Sequence, residues 1–405
     1  MRLSAQRSTA AWLVAVVLAS GLSACQSGSG EGAEGSFDPG ETGRSGSEVV
    51  AAEKPAPVRL TTSFTDPAAV PIDPAVTVST QGAELTDVRL ASAAGDVTGD
   101  IADGTWTSVD RLEPGTDYVI TLTGQRSDGT SVARTQRFHT VDLTLDEQTF
   151  ASVAPLAGET VGVGMPVIVT FDLPVTDRAT FEKHMAVTSE PVQRGSWYWL
   201  SDREAHWRPY SYWASGTEVS VDLDVNSLPA GNGIYGQESR HIEFSIGDAV
   251  VSRVDVAGHV MRTFVNGQLA RTMPISAGKA GWETRSGTKV IIEKFRRKRM
   301  NAATIGVDES DPEYYDLSNV QYALRVTYSG EFLHAAPWST GSQGSTNVSH
   351  GCVGMSLVDA QWLYDRTLRG DVVEVKGSER SMTLENGYGD WNLSVADWKS
   401  GSALS

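Results

Sequence analysis

Between Pro55 and Gly247 the chain alternates apolar and polar residues in short runs broken by Gly, Pro and Asp. Val76-Thr77-Val78, Tyr118-Val119-Ile120-Thr121-Leu122 and Val219-Ser220-Val221-Asp222-Leu223 are examples. A period of two puts every second side chain on one face, which restricts this half of the molecule to antiparallel strands with one buried side. The segment also resembles itself. Val70-Pro71-Ile72-Asp73-Pro74 returns in outline as Val163-Gly164-Met165-Pro166, Gly115-Thr116 as Gly216-Thr217, and the strand around Phe138 as that around Phe244. The spacing between copies grows from 92 residues (Pro74 to Pro166) to 101 (Gly115 to Gly216) and 106 (Phe138 to Phe244). Two copies, 55–143 and 144–248, with insertions in the second, account for that drift.

The inserted material includes Trp197 to Asp202, read as an aromatic hairpin. Leu112-Glu113-Pro114 ahead of Tyr118 suggests the corner tyrosine of a sandwich fold. The 405 residues contain two cysteines, Cys25 and Cys352, so no disulfide pair is available to either copy. Both are expected to be immunoglobulin-like β-sandwiches held by packing alone. Within them His139, His184, His206 and His241 are scattered singly, and no catalytic set, metal-ligand spacing or phosphate loop is visible. Residues 250–405 balance 17 basic against 17 acidic side chains, so the net charge of −17 belongs to the first 249. An acidic stalk argues against nucleic acid as a partner. It reads as a spacer, with weak wall binding as the alternative.

Each cysteine needs its own explanation. Arg2 and Arg7 precede the apolar run Ala10 to Leu22, which is short for a bilayer span and reads as a signal-peptide core. It ends in Leu22-Ser23-Ala24-Cys25, which resembles the lipobox of bacterial lipoproteins, so residues 1–24 are expected to be removed and Cys25 acylated. The alternative is an ordinary secretion signal. Residues 27–48 hold seven glycines among Ser, Glu and Pro, a composition that cannot bury a core. A tether over 25–54, about 30 residues, has an r.m.s. reach of roughly 30 Å, against about 100 Å stretched. The expected location is extracytoplasmic, lipid-anchored at the membrane and facing the wall.

The second cysteine sits in HAAPWSTGSQGSTNVSHGCVGMS, residues 334–356. His334, a loop, then Ser349-His350-Gly351-Cys352 resembles the signature of the L,D-transpeptidases, the YkuD-type cysteine enzymes of peptidoglycan. Thr284 to Gly287, Met300 to Val307, Tyr328-Ser329-Gly330, Ala336-Pro337-Trp338 and Gly389-Asp390-Trp391-Asn392 match as well. The resemblance covers nearly all of the mature chain and is strongest to the lipid-anchored actinobacterial type. It implies a mainly β protein: two immunoglobulin-like β-sandwiches, then a β-rich catalytic domain (249–377) with one or two helices. A C-terminal extension (378–405) would pack on the catalytic domain. It further implies Cys352 as nucleophile, His334 as general base and acid, and His350 as support for the site. Stem tetrapeptides of peptidoglycan would be donor and acceptor, and carbapenem β-lactams would acylate Cys352. No metal or organic cofactor is implied.

The residues support that chemistry on physical grounds. A free thiol in an oxidising compartment is a liability unless its reactivity is used. Gly351 and Gly354 let the backbone bend around Cys352, and the Gly351 amide is the candidate oxyanion donor, an effect worth about 3–4 kcal/mol. A thiol needs a base or a lowered pKa to attack a carbonyl, and His334 and His350 are near in sequence. The candidate substrate-binding residues are Tyr315, Met300, Trp338, Ser349 and Gly354. In the family, a lid contributes a tyrosine and a methionine. Met300 to Leu317 has little strand character, and Tyr315 is preferred over Tyr314. Trp338 is divided between core packing and a groove wall.

Gly354 stands where family members usually carry Asn, which keeps open a hydrolase (an L,D-carboxypeptidase or endopeptidase) with a looser pocket. A non-catalytic wall-binding lipoprotein is the rival from outside enzymology. Ser356 with Asp359 marks a helix start, Val358, Trp362 and Leu363 its apolar face, and Gly370 its end. Lys294 to Arg299 reads as a solvated hairpin end, and Ser276-Ala277-Gly278-Lys279 as a chance match to the S-x-x-K of penicillin-binding enzymes.

Overall fold

The computed structural model describes residues 57–405; the signal segment, Cys25 and the tether expected ahead of them lie outside the described residues. The alternating pattern forms two sandwiches. In the first, one sheet orders strands Arg59–Thr62, Thr77–Gln81, Thr105–Ser108 and Gly99–Ala102. It faces a second sheet of Asp96–Val97, Glu84–Ala91, Asp117–Gln125 and Ser131–His139. Their inward residues, among them Val78, Leu90, Trp106, Ile120 and Leu122, make one apolar core. Tyr118 is buried, and its hydroxyl accepts the Glu113 N–H at 2.9 Å, the corner expected from the sequence.

In the second sandwich the hairpin Gly195–Trp199 and Glu204–Pro209 carries Trp197 and Trp199 inward, and Trp199 stacks on Phe171 at 5.8 Å. This core does not stop at the sandwich. Val290, Ile292, Val372 and Tyr388 from the last third of the chain belong to the same cluster. Glu159 clamps Arg369 across the seam at 2.9 Å, and the Gly162 N–H donates to Arg369 O at 2.8 Å. The spacer reading therefore fails for the second copy, which is welded to the C-terminal third of the chain. Between the two sandwiches Arg111 donates to Asn226 O at 2.7 Å and Asp224 O at 2.8 Å, and Tyr235 of the second packs against the core of the first.

The C-terminal third is built on two sheets. One orders Gln268–Pro274, Val260–Val265, Val250–Asp255, Val372–Lys376 and Gly287–Val290. The other runs in chain order: Glu293–Asn301, Asp316–Arg325, Phe332–Ala335, Val353–Met355. The last pair is parallel. Helix Leu357–Arg366 packs on this sheet through Ala360 and Leu363. Ser356 caps it, accepting the Asp359 N–H at 3.1 Å and donating to the Asp359 carboxylate at 2.7 Å.

Several local expectations are corrected. Val358 is 68% exposed, because the helix turns that flank away from the core. The helix stops at Thr367 in extended conformation, ahead of the Gly370 turn. The basic run belongs to strand Glu293–Asn301, where Lys294 donates to the Tyr364 and Thr367 carbonyls at the helix's open end. Met300 sits on that same strand opposite Leu317, so it is strand rather than loop.

The C-terminal extension straps both units together instead of packing on one. Asn392 holds Thr288 through its N–H (2.8 Å) and carbonyl (2.7 Å), while Trp391 donates to Gly164 O at 2.7 Å. Trp398 is fully buried, stacked on Tyr198 at 4.9 Å. Asp390 meets His206 Nδ1 at 2.6 Å, and Glu204 meets Nε2 at 2.9 Å. Burial opposes charge on this imidazole, yet Asp390 and Glu204 outweigh it and push its pKa up to about 9. A pKa raised on folding gives stability that is complete below about pH 6.5 and is lost as pH rises toward 9. The prediction is that wild type loses on the order of 3 kcal/mol more than His206→Gln between pH 6 and pH 9.5 in urea denaturation. Equal losses would rule out a charged His206 in the folded protein.

Candidate active site

Parallel pairing of Phe332–Ala335 with Val353–Met355 sets His334 opposite Gly354 and Leu333 opposite Val353. The residue just before that second strand is Cys352. Both side chains therefore line one cavity of about 290 Å³, together with Met300, Tyr315, Trp338, Ser349, His350 and Gly354. Every substrate-contact candidate from the sequence converges there. Tyr315 lines the cavity, whereas the Tyr314 hydroxyl is engaged by Asn301 Nδ2 at 3.0 Å. Trp338 is 56% exposed and lies over the His334 ring at 5.8 Å, which makes it a wall and not core.

The turn that presents the thiol is held from several directions. Gly351 has φ +116°, a conformation that needs glycine. Its carbonyl accepts from Thr284 Oγ1 at 2.8 Å, and Thr284 in turn accepts the Gly278 N–H at 2.9 Å. Ser349 Oγ donates to Cys352 O at 2.6 Å and accepts the Gly351 N–H at 3.1 Å. That last contact corrects an expectation, because the Gly351 amide is committed to Ser349 and is not free for an oxyanion. The Cys352 N–H makes no hydrogen bond among the described residues.

Cys352 and His334 both rest neutral. Burial pushes the Cys352 thiol up to about 12, and Glu331 adds to this. Burial also holds the His334 imidazole below its ordinary value. His334 Nδ1 donates to Ala335 O at 2.8 Å, which leaves the lone pair on Nε2. The thiol leans on Gly330 O at 3.7 Å, and among the described residues it makes no hydrogen bond to the imidazole. A neutral thiol and a neutral base sharing one cavity can attack a carbonyl, the proton passing to Nε2 as the carbon–sulfur bond forms.

His350 does not face the thiol as a base. Its Nε2 contacts Glu313 at 2.8 Å, and its ring lies against Trp282 (4.8 Å) and Tyr315 (5.1 Å). Hydrogen bonds from Lys279 and then His350 hold the Glu313 carboxyl below the usual range. Glu313 belongs to the segment between Met300 and Leu317, so this pair ties the segment to the catalytic turn. Sequence reasoning missed Glu313. It also set aside Ser276 and Lys279, although Ser276 lines the cavity and Lys279 reaches Glu313 at 2.5 Å.

Gly354 does not loosen the pocket. A Cβ placed there would lie 2.9 Å from the Ala336 methyl, so Ala336 already occupies the space a side chain would enter.

Residues 249–375 match the L,D-transpeptidase catalytic domain family, and residues 67–229 match a bacterial Ig domain family. L,D-transpeptidase 2 of Mycobacterium tuberculosis is 35% identical over 351 residues, 85% of this chain and 85% of that protein. The chain belongs to the L,D-transpeptidase family. L,D-transpeptidase 5 of the same species is 34% identical over 364 residues, 86% of this chain and 78% of that protein. A solved L,D-transpeptidase in complex with imipenem is 36% identical, covers 57% of this chain and 99% of its own, and superposes with a TM-score of 0.50. An L,D-transpeptidase is an acyltransferase, and a thiol and an imidazole lining one cavity fit that class.

In this L,D-transpeptidase, Gly354→Ala is expected to cost about 1–3 kcal/mol in urea denaturation through overpacking against Ala336. Adding Ala336→Gly should return part of that loss, since residues in contact are not additive. A double variant no more stable than Gly354→Ala would show that the two positions do not share the space.

Proposed function

We propose that this protein forms cross-links between third-position diamino acids of peptidoglycan stem peptides, with Cys352 as the nucleophile and His334 as the proton carrier. The observation that carries the reading is the parallel strand pair that puts a free thiol and an Nδ1-anchored imidazole on one cavity. Cys352 Sγ attacks the carbonyl that follows the diamino acid of a donor tetrapeptide, and its proton passes to His334 Nε2. The tetrahedral oxyanion is met by the unengaged Cys352 N–H. His334 returns the proton to the leaving nitrogen, D-alanine departs, and a thioester remains.

The amine of a neighbouring stem then attacks the thioester. His334 accepts its proton and the thiol is restored. For an amine to win over water, the site must be kept dry. Met300, Tyr315 and Leu317 roof the cavity with apolar surface, and Glu313 latches their segment to His350 and Lys279. Carbapenems carry a strained acyl group to the same sulfur and are expected to acylate it. Leu22-Ser23-Ala24-Cys25 and the glycine-rich stretch after it support export and a lipid anchor at Cys25.

The reading is tested with purified disaccharide-tetrapeptide and mass spectrometry. Wild type should yield cross-linked dimer, and Cys352→Ala none. Equal dimer from both would sink the assignment, while tripeptide without dimer would point to hydrolysis. His334→Gln should slow acylation by roughly 10²–10⁴-fold, the usual size of a general-base contribution. Because burial lowers the His334 pKa, the acid limb of the acylation profile should fall below about pH 6.5.

A further inference from the structure

Three charged side chains lie buried against the catalytic turn without lining the cavity. Lys289 is 1% exposed, Glu331 5% and Arg285 13%. Glu331 accepts from Lys289 Nζ, from the Arg285 guanidinium at 2.7 Å and from the Arg285 backbone N–H at 3.1 Å. Two basic side chains face one carboxylate, and burial holds the Lys289 ammonium below its ordinary value while Glu331 opposes that fall. Burying three ions is costly, and apolar side chains of similar volume would stabilise a fold as well or better, so stability alone does not explain it.

Its position does. Glu331 stands between Gly330, whose carbonyl takes the thiol contact at 3.7 Å, and Phe332, the first residue of the strand that carries His334. The Glu331 Cγ lies 3.5 Å from where a Cβ on Gly351 would be. Holding this carboxylate from Lys289 and Arg285 therefore fixes the strand edge on which the sulfur rests and the turn that delivers it. We propose that the Lys289–Glu331–Arg285 cluster is a positioning device that sets the seat and the electrostatic surroundings of the Cys352 sulfur, an inference that rests on Cys352 being the nucleophile. When His334 removes the thiol proton, the sulfur becomes an anion beside this cluster, where Glu331 opposes it and Lys289 favours it. Arg285 acts through the Glu331 carboxylate that it holds. The other ionisable groups around the sulfur are His334 on the neighbouring strand, Tyr315 from the roof and His350 from the turn.

The test follows the rate of alkylation of the Cys352 peptide by iodoacetamide in the full chain, by mass spectrometry, at fixed pH values from 8 to 11, where the rate tracks the small thiolate fraction of a thiol pushed up to about 12. Lys289→Met should slow the reaction at each pH by about 3–10-fold. Glu331→Gln should speed it by a similar factor. Arg285→Gln, at the least buried member, should slow it as Lys289→Met does and serves if either other variant misfolds. Shifts of opposite sign mark a charge effect, whereas general loosening would move all variants one way. Rates that stay at the wild-type value, or that all move together, overturn the proposal. Iodoacetamide needs no stem peptide. Opposite shifts in a protein that makes no dimer would leave this inference standing and remove the cross-linking reading.

Discussion

A parallel pairing of two short strands, Phe332–Ala335 and Val353–Met355, governs this molecule's chemistry. Parallel neighbours cannot be closed by a tight hairpin, so the chain must leave the sheet and return. The excursion from Ala336 to Cys352 is that crossover, and it carries the catalytic turn on its way back. Asn347 stitches it to the body, accepting the Ala277 N–H at 2.9 Å and donating to Val256 O at 3.1 Å. A slip of one residue would turn His334 to the opposite face of the sheet. Register, rather than any contact between the two side chains, is what places the His334 imidazole and the Cys352 thiol on one cavity.

The resting state of the pair suits an exported protein. The thiolate, not the thiol, is what oxidants and adventitious electrophiles attack. Burial keeps Cys352 protonated and His334 neutral, so little thiolate is offered to such reagents. A thiolate–imidazolium pair would react faster with everything, substrate included. Glu313 meanwhile ties the roof of the cavity to His350 and Lys279.

Much of this was legible in the chain, and the remainder has identifiable causes. The two sandwiches followed from period-two runs, because one buried face imposes alternation whatever the tertiary context. The cavity residues followed from a motif compact enough to be read as a string. Val358 was misplaced because a helix start fixes the phase of its faces only to within a residue or two. Lys289, Glu331 and Arg285 were invisible because a charged residue in a short strand or in the turn beside one looks solvent-facing until the tertiary fold covers it. Ser276 and Lys279 carried the right chemistry under the wrong motif. Their part in the site comes from the isolated bridges Ser276 to Gly354 and Gly278 to Ser349, which no local pattern encodes.

The shared core between the second sandwich and the catalytic sheets has a mechanical consequence. With Val290, Ile292, Val372 and Tyr388 locked among sandwich residues, and Trp398 stapled onto Tyr198, the catalytic head cannot swivel on that sandwich without opening hydrophobic interior. The joint one module earlier is made differently: Arg111, Glu113, Asp224 and Asn226 exchange hydrogen bonds, and Tyr235 packs against the first core. The cavity and the second sandwich thus form one mechanical piece, and a pull on the cavity is carried into that sandwich as a whole.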